Sequence, residues 1–181
     1  MSLVEGLSAV PAQSPPGSSA LRAVLGRFAT GVTVLAAVGK VPCGMTANAF
    51  TSVSLDPPLV LVCVNRNASI HQAVLESGSF AVSMLSARQE HVARYFADHS
   101  RPRGPAEFAA VDWSPAPRTG APVLRGALAW LDCSLTAAYD GGDHAIFLGS
   151  VLASGAEPAQ DVLLFFGGEF HRPQLRMPSD P

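Results

Sequence analysis

A chain of 181 residues can bury one substantial hydrophobic core and is too short for two comfortable domains. Hydrophobic residues make up 48% and charged residues 14%, so the chain reads as folded, with some surface hidden in an oligomer. The net charge is −2, Lys40 is the only lysine and no Lys/Arg block occurs, which argues against nucleic acid or an acidic membrane surface as partner.

Residues 1–18 are rich in Ser, Pro, Ala and Gly and read as a flexible N-terminal tail; residues 174–181 read as a flexible C-terminal tail. That leaves one folded domain over 19–173. Leu21, Val24, Leu25 and Phe28 recur at helical spacing, with Ser19 as a possible N-cap. The β-rich run GVTVLAAV follows, and Gly39–Lys40 turns the chain. Residues 45–55 read as one strand with a polar row (Thr46, Asn48, Ser52, Ser54, interrupted by Phe50) opposite a small, mostly apolar one. Asp56-Pro57-Pro58 ends it. LVLVCV (59–64) is apolar on both parities, which predicts a central strand covered on both faces.

A helix is predicted next, with Ser69 and Gln72 at capping-box spacing and Gly78 as its C-cap. SFAVSML is a further strand. A second box, Ser86 to Gln89, opens a helix that buries Val92 and Phe96. Residues 99–122 read as a long Pro/Gly/Arg loop in which Arg101 and Arg103 are solvated charge. ALAWLDCSLTAAY alternates, DGGD (140–143) signals a hairpin, HAIFLGSVLA pairs back, and DVLLFFGGEF supplies a last strand. Six or seven strands against three short helices, without a βαβ rhythm, give a mainly β fold. An antiparallel barrel with helices packed outside fits best.

Neither G-x-G-x-x-G nor a P-loop is present, nor H-E-x-x-H, nor G-x-S-x-G. The five histidines make no metal spacing with each other or with Cys43, Cys63 and Cys133, so no metal is expected. An odd cysteine count without C-x-x-C argues against a disulfide framework and for a reducing cytoplasm. No signal peptide and no apolar run long enough to span a membrane is seen. What remains is chemistry borne by a bound redox cofactor, for which a protein supplies shape and hydrogen bonds.

The phrases RFATGVTVLAAV, GMTANAFTSVSLDPPLVLVCVNRNAS, DGGDHAIFLGSV and LLFFGGEFHRP stand in the order seen in short-chain flavin reductases, the reductase components of two-component flavin-dependent monooxygenases. The chain resembles that family over about 20–173. The resemblance implies an FMN-binding split β-barrel, antiparallel and Greek-key-like, usually a homodimer with flavin near the subunit interface. It implies hydride transfer from NADH or NADPH to FMN or FAD, bound as cofactor or co-substrate, and reduced flavin diffusing to a partner monooxygenase. An alternative is a flavin-binding electron carrier or sensor on the same barrel; a blander one is a barrel acting only through protein contacts.

Carried onto this chain, the resemblance assigns flavin contacts to Thr46, Ala47, Asn48, Ala49, Phe50, Ser52 and Val53, and to Asn67, Ala68 and Ser69. It assigns the nicotinamide side to His144, Phe166, Gly167 and Gly168. Where many relatives carry an aromatic-basic-Gly phrase this chain has Phe166-Gly167-Gly168, which leaves Arg172 or Arg94 to supply any charge. Taken alone, the polar row of 46–54 is equally the wet face of a half-exposed strand. Ser69 is a helix cap in either reading, and a helix N-terminus suits a phosphate. Ser86 has the same two readings. His144 is read as a positioning residue, able to donate to charge developing on a flavin ring or to orient the nicotinamide carboxamide. Phe166 and Phe170 serve equally as core or as stacking partners.

Overall fold

The computed structural model describes residues 17–158 and 161–173. The predicted tails lie outside the described residues, apart from Gly17 and Ser18. The elements are α1 (Ser18–Leu25), β1 (Thr30–Gly31), β2 (Thr33–Val38), β3 (Pro42–Ala47), β4 (Phe50–Leu55), β5 (Pro58–Asn65), α2 (Ser69–Ser77), β6 (Ser79–Met84), α3 (Glu90–Ala97), β7 (Trp113–Pro115), β8 (Pro122–Leu124), β9 (Ala129–Gly141), β10 (His144–Ala156), β11 (Leu164–Phe166) and β12 (Glu169–His171).

Seven strands form one antiparallel sheet in the order β3-β2-β6-β9-β10-β5-β4. Its two edges, β3 and β4, are consecutive in the chain and joined only through Asn48 and Ala49. The link from Ala47 to Phe50 spans at most about 11 Å, whereas a flat seven-stranded sheet holds its edges about 29 Å apart. The sheet therefore curls until the edges meet. The ladder does not close; at the split, the Cys63 N–H donates to the Ala49 carbonyl at 2.9 Å. The single strand predicted over 45–55 is thus corrected. The chain there leaves one edge, crosses the split and joins the other, so a face parity cannot run through Asn48–Ala49.

The curled sheet encloses one core. Leu35 of β2, Val60, Val62 and Val64 of β5, Phe80 of β6 and Phe147 of β10 meet inside it with Ile70, Ala73 and Val74 of α2. Phe80 and Phe147 are fully buried, each contributing about 1.5–3 kcal/mol of burial. On the outer face of β2, Val34 and Ala36 pack against Val92, Ala93 and Phe96 of α3, with Phe108 and Leu163. β2 is therefore covered on both faces. β5 is not: Val60, Val62 and Val64 are buried while Leu59, Leu61 and Cys63 are half-buried, so its predicted two-sided cover holds on one side of this chain.

The loop predicted over 99–122 contains a 3-10 turn (Gly104–Glu107) and β7, which pairs with β8. Asp132 is fully buried and accepts from the Arg118 and Thr119 N–H groups (2.8 and 3.2 Å) and the Thr119 hydroxyl (2.6 Å), pinning the β7–β8 turn. The last predicted strand is a hairpin, β11 and β12 about Gly167-Gly168, which joins β1 in a separate three-stranded sheet. α1 forms with Gly17 rather than Ser19 at its N-cap, and none of its residues is buried.

Candidate functional site

Among the described residues β3 is an edge strand paired only with β2, so alternate residues turn their backbone groups away from the sheet. At Gly44 those groups are taken by side chains: its N–H donates to Glu107 Oε1 (3.3 Å) and its carbonyl accepts from the Arg101 guanidinium. Thr46, two residues on, turns its N–H and carbonyl the same way, and neither has a partner among the described residues. The Thr46 hydroxyl is already spent, donating to the Ala93 carbonyl of α3 at 2.7 Å. Thr46 therefore offers backbone, not side chain.

Thr46 lines a cleft of about 680 Å³ between β3, the start of α2 and the segment after α3, a size suited to a cofactor. Asn67, Ala68 and Ser69 line it too, as do Lys40 and Arg103. The predicted capping box at Ser69 and Gln72 is corrected: Ala68 is the N-cap, and no side chain caps the helix. Ser69 is the first helical residue, its hydroxyl 3.2 Å from the Cys43 sulfur and accepting from Arg103 Nη1 at 3.3 Å, while Gln72 reaches Glu76. The backbone N–H groups of Ser69 and Ile70 consequently have no partner among the described residues. Together with Arg103 they make the positive end of α2 a place for an anion. Burial pushes the Cys43 thiol up in pKa against the opposing hydrogen bond from Ser69, so it stays a neutral wall of the cleft.

A hydrogen-bonding backbone edge and a helix N-terminus lining one cleft suit a ring cofactor with a phosphate tail. The family model described as "Flavin reductase like domain" matches residues 25–174. The chain belongs to the flavin reductase family. It is similar to the "NADH-dependent FAD reductase" of Streptomyces globisporus, 53% identical over 152 residues, which cover 84% of each chain. It is also similar to the "Flavin-dependent monooxygenase, reductase subunit HsaB" of Mycobacterium tuberculosis, 38% identical over 82% of this chain and 79% of that one. In structure it resembles BorF, the flavin reductase component of a bacterial two-component tryptophan halogenase, with a TM-score of 0.85, 50% identity, and coverage of 88% of this chain and 100% of that one. The curled, unclosed seven-stranded sheet is the family's split barrel.

This flavin reductase does not gather all its sequence-assigned residues into the cleft. Thr46, Asn67, Ala68 and Ser69 line it. Ala47 is buried, Asn48 and Ala49 are exposed at the split, Phe50 is half-buried, and Ser52 and Val53 are exposed on β4; these lead away from the cleft. His144 opens β10 directly opposite Asn65, a cleft residue, and its Nδ1 lies 2.7 Å from Asp143 Oδ1. That hydrogen bond holds the Asp143 carboxyl below its ordinary pKa of 3.8.

Phe166, Gly167 and Gly168 belong to the small sheet. Gly167 and Gly168 have φ of +63° and +88°, a turn that favours glycine, and the Gly167 N–H donates to the Gly26 carbonyl. Phe170 packs against Phe165 and under the Arg94 guanidinium, so it is structural within this chain. Arg94 and Arg172, the two candidate substitutes for the absent basic residue, both donate to Glu90, at 2.9 and 2.8 Å.

The Ser86–Gln89 box forms, the Gln89 side chain taking the Ser86 backbone N–H at 3.2 Å, but it opens a 3-10 turn (Ala87–Gln89) that leads into α3, whose own N-cap is Gln89. Arg101 overturns its reading as solvated charge; its side chain is 4% exposed and paired with a fully buried Glu107. Neither residue lies in a periodic pattern, and the six-residue spacing inside a Pro/Gly-rich loop carries no signal. Only the placement of the loop against β3 brings them to the cleft.

Proposed function

We propose that this flavin reductase takes its hydride from NADH, passes it to FAD or FMN, and supplies the reduced flavin to a partner monooxygenase or related oxygenase component. The reading rests chiefly on one cleft lined both by Thr46, whose outward backbone has no partner among the described residues, and by the uncapped N-terminus of α2. The similarity to a named NADH-dependent FAD reductase and to a monooxygenase reductase subunit supports it.

The residues suit a flavin. Thr46 N–H and C=O would meet an acceptor and a donor, respectively, on the ring edge. The Ser69 and Ile70 N–H groups, with Arg103, would take its phosphate. Asn67 keeps the approach to α2 short, its N–H held by Asn65 Oδ1 at 2.9 Å. When bound, the flavin supplies the hydride-accepting ring. His144, fixed by Asp143 beside the Asn65 rim, would orient the nicotinamide carboxamide. Phe166 and the Gly167-Gly168 turn are assigned to the nicotinamide side by the family alone.

NADH is favoured over NADPH because the chain resembles a named NADH-dependent FAD reductase, and because Arg94 and Arg172, the two candidate charges for that turn, are both engaged by Glu90. A homodimer is favoured because α1 exposes Val24, Leu25 and the adjacent Phe28 (68%, 63% and 76%), and β4 exposes Leu55 at 93%. A cytoplasmic setting suits three free thiols. The test is anaerobic: NADH mixed with FAD or FMN should bleach the flavin when the protein is added and not without it. Failure of the protein to accelerate bleaching of either flavin would remove this reading.

A further inference from the structure

Arg101 and Glu107 form a buried ion pair beneath the flavin cleft, with side chains 4% and 0% exposed. Arg101 Nε and Nη2 each lie 2.7 Å from Glu107 Oε1, and Nη1 donates to the Asp98 carbonyl at 2.6 Å. The Tyr95 hydroxyl holds the Glu107 carbonyl at 2.8 Å. A buried pair of this kind is weak evidence for stability, because desolvating both ions offsets most of their attraction. This one also leaves Glu107 Oε2 buried without a partner among the described residues. Stability alone does not account for it.

What the pair does fix is backbone. Glu107 takes the outward N–H of Gly44 and Arg101 takes its outward carbonyl, so the pair stands in for the strand that β3 lacks on that side. Gly44 is the last outward-facing residue before Thr46, and a planar guanidinium locked by a carboxylate allows one geometry where a lysine would allow many. Phe96 of α3 sits under the Arg101 guanidinium, 5.6 Å from ring centroid to Cζ, and closes the remaining space beside Gly44.

We propose that Arg101, locked by Glu107, is a positioning residue for the flavin: it sets the outward backbone of β3 so that Thr46 presents its free N–H and C=O to the ring edge. The proposal rests on the reading that this cleft holds the flavin. Its effect falls on flavin affinity, not on the hydride step.

The experiment compares Arg101→Lys and the double variant Arg101→Met/Glu107→Met with the wild-type full chain. Flavin Kd is measured by fluorescence quenching, flavin KM and kcat by NADH oxidation, and the folded fraction by circular dichroism. The double variant removes both charges together, so no ion is left buried alone. The expected result is a flavin Kd and KM raised at least about ten-fold, as for one well-placed hydrogen bond, with kcat at saturating flavin held within about two-fold. A folded variant of either kind with wild-type flavin Kd overturns the proposal. So does an affinity loss no larger than the unfolded fraction explains. Ser69→Trp, which fills the cleft, separates the two claims. If it still binds flavin, the cleft assignment itself fails; if it does not while the Arg101 variants bind normally, only the positioning role fails.

Discussion

Arg66 reaches from the approach to α2 across to Asp140 in the β9–β10 hairpin, its Nη2 2.7 Å from the carboxylate. Its Nε donates to the Gly142 carbonyl at 3.1 Å, and its backbone N–H to the Asp143 carbonyl at 3.0 Å. One residue thus ties the turn that carries His144 to the wall that carries Asn67 and Ser69. The Arg66 hydrogen bond holds the Asp140 carboxyl below its ordinary 3.8. A depressed carboxylate contributes stability that is complete above the unfolded value and is lost as pH falls through the folded one. The latch should therefore persist through mild acid and open only below 3.8. An NMR titration of Asp140 should show this, and Arg66→Ala should return the carboxyl to its ordinary range and speed amide exchange in the hairpin.

His144→Ala should raise the KM for NADH several-fold while leaving flavin Kd near its wild-type value, because the ring stands beside the cleft rim and not in its floor. Steady-state kinetics with parallel quenching titrations check the split. An equal loss in both would place the histidine against the flavin.

Gly44→Ala should destabilise the protein by about 1–3 kcal/mol through overpacking. A Cβ there would stand 2.6 Å from Phe96 Cε1 and 3.0 Å from Phe108 Cζ. Both rings lie in the outer core and have little room to give. A urea midpoint shift at constant slope is the measurement.

The strand of 59–64, the hairpin at DGGD, the Gly78 cap and the Ser86–Gln89 box were readable because each depends on residues near in sequence. The break at Asn48–Ala49 was not, since only the curling of the sheet forces the chain to change edges there. Ser69 misled in the same way: its hydroxyl had a cap to make locally, and Cys43 and Arg103 claimed it from afar. Buried Arg101, Glu107 and Asp132 look like surface charge in any window, because their partners, backbone groups together with the Arg101–Glu107 pair itself and the Thr119 hydroxyl, are brought near by the fold alone. For the candidate site, the sequence marked both lining segments through the family phrases. It did not mark that Thr46 would contribute its backbone.

Burial, with the adjacent Asp132 charge adding to it, pushes the Cys133 thiol up to about 12, and burial also raises Cys43. Neither should form much thiolate near neutral pH. Thiol labelling of the native protein should therefore spare Cys43 and Cys133, and unfolding should expose both. Rapid native labelling of Cys43 would show that the cleft opens further than its 5% exposure implies.

The most direct measurement is a matrix of initial rates for the purified full chain, with NADH and NADPH each tested against no flavin, FMN and FAD. The predicted result is nicotinamide oxidation only when flavin is added, with NADH the better donor. Absence of flavin-dependent oxidation in every combination would contradict the assignment.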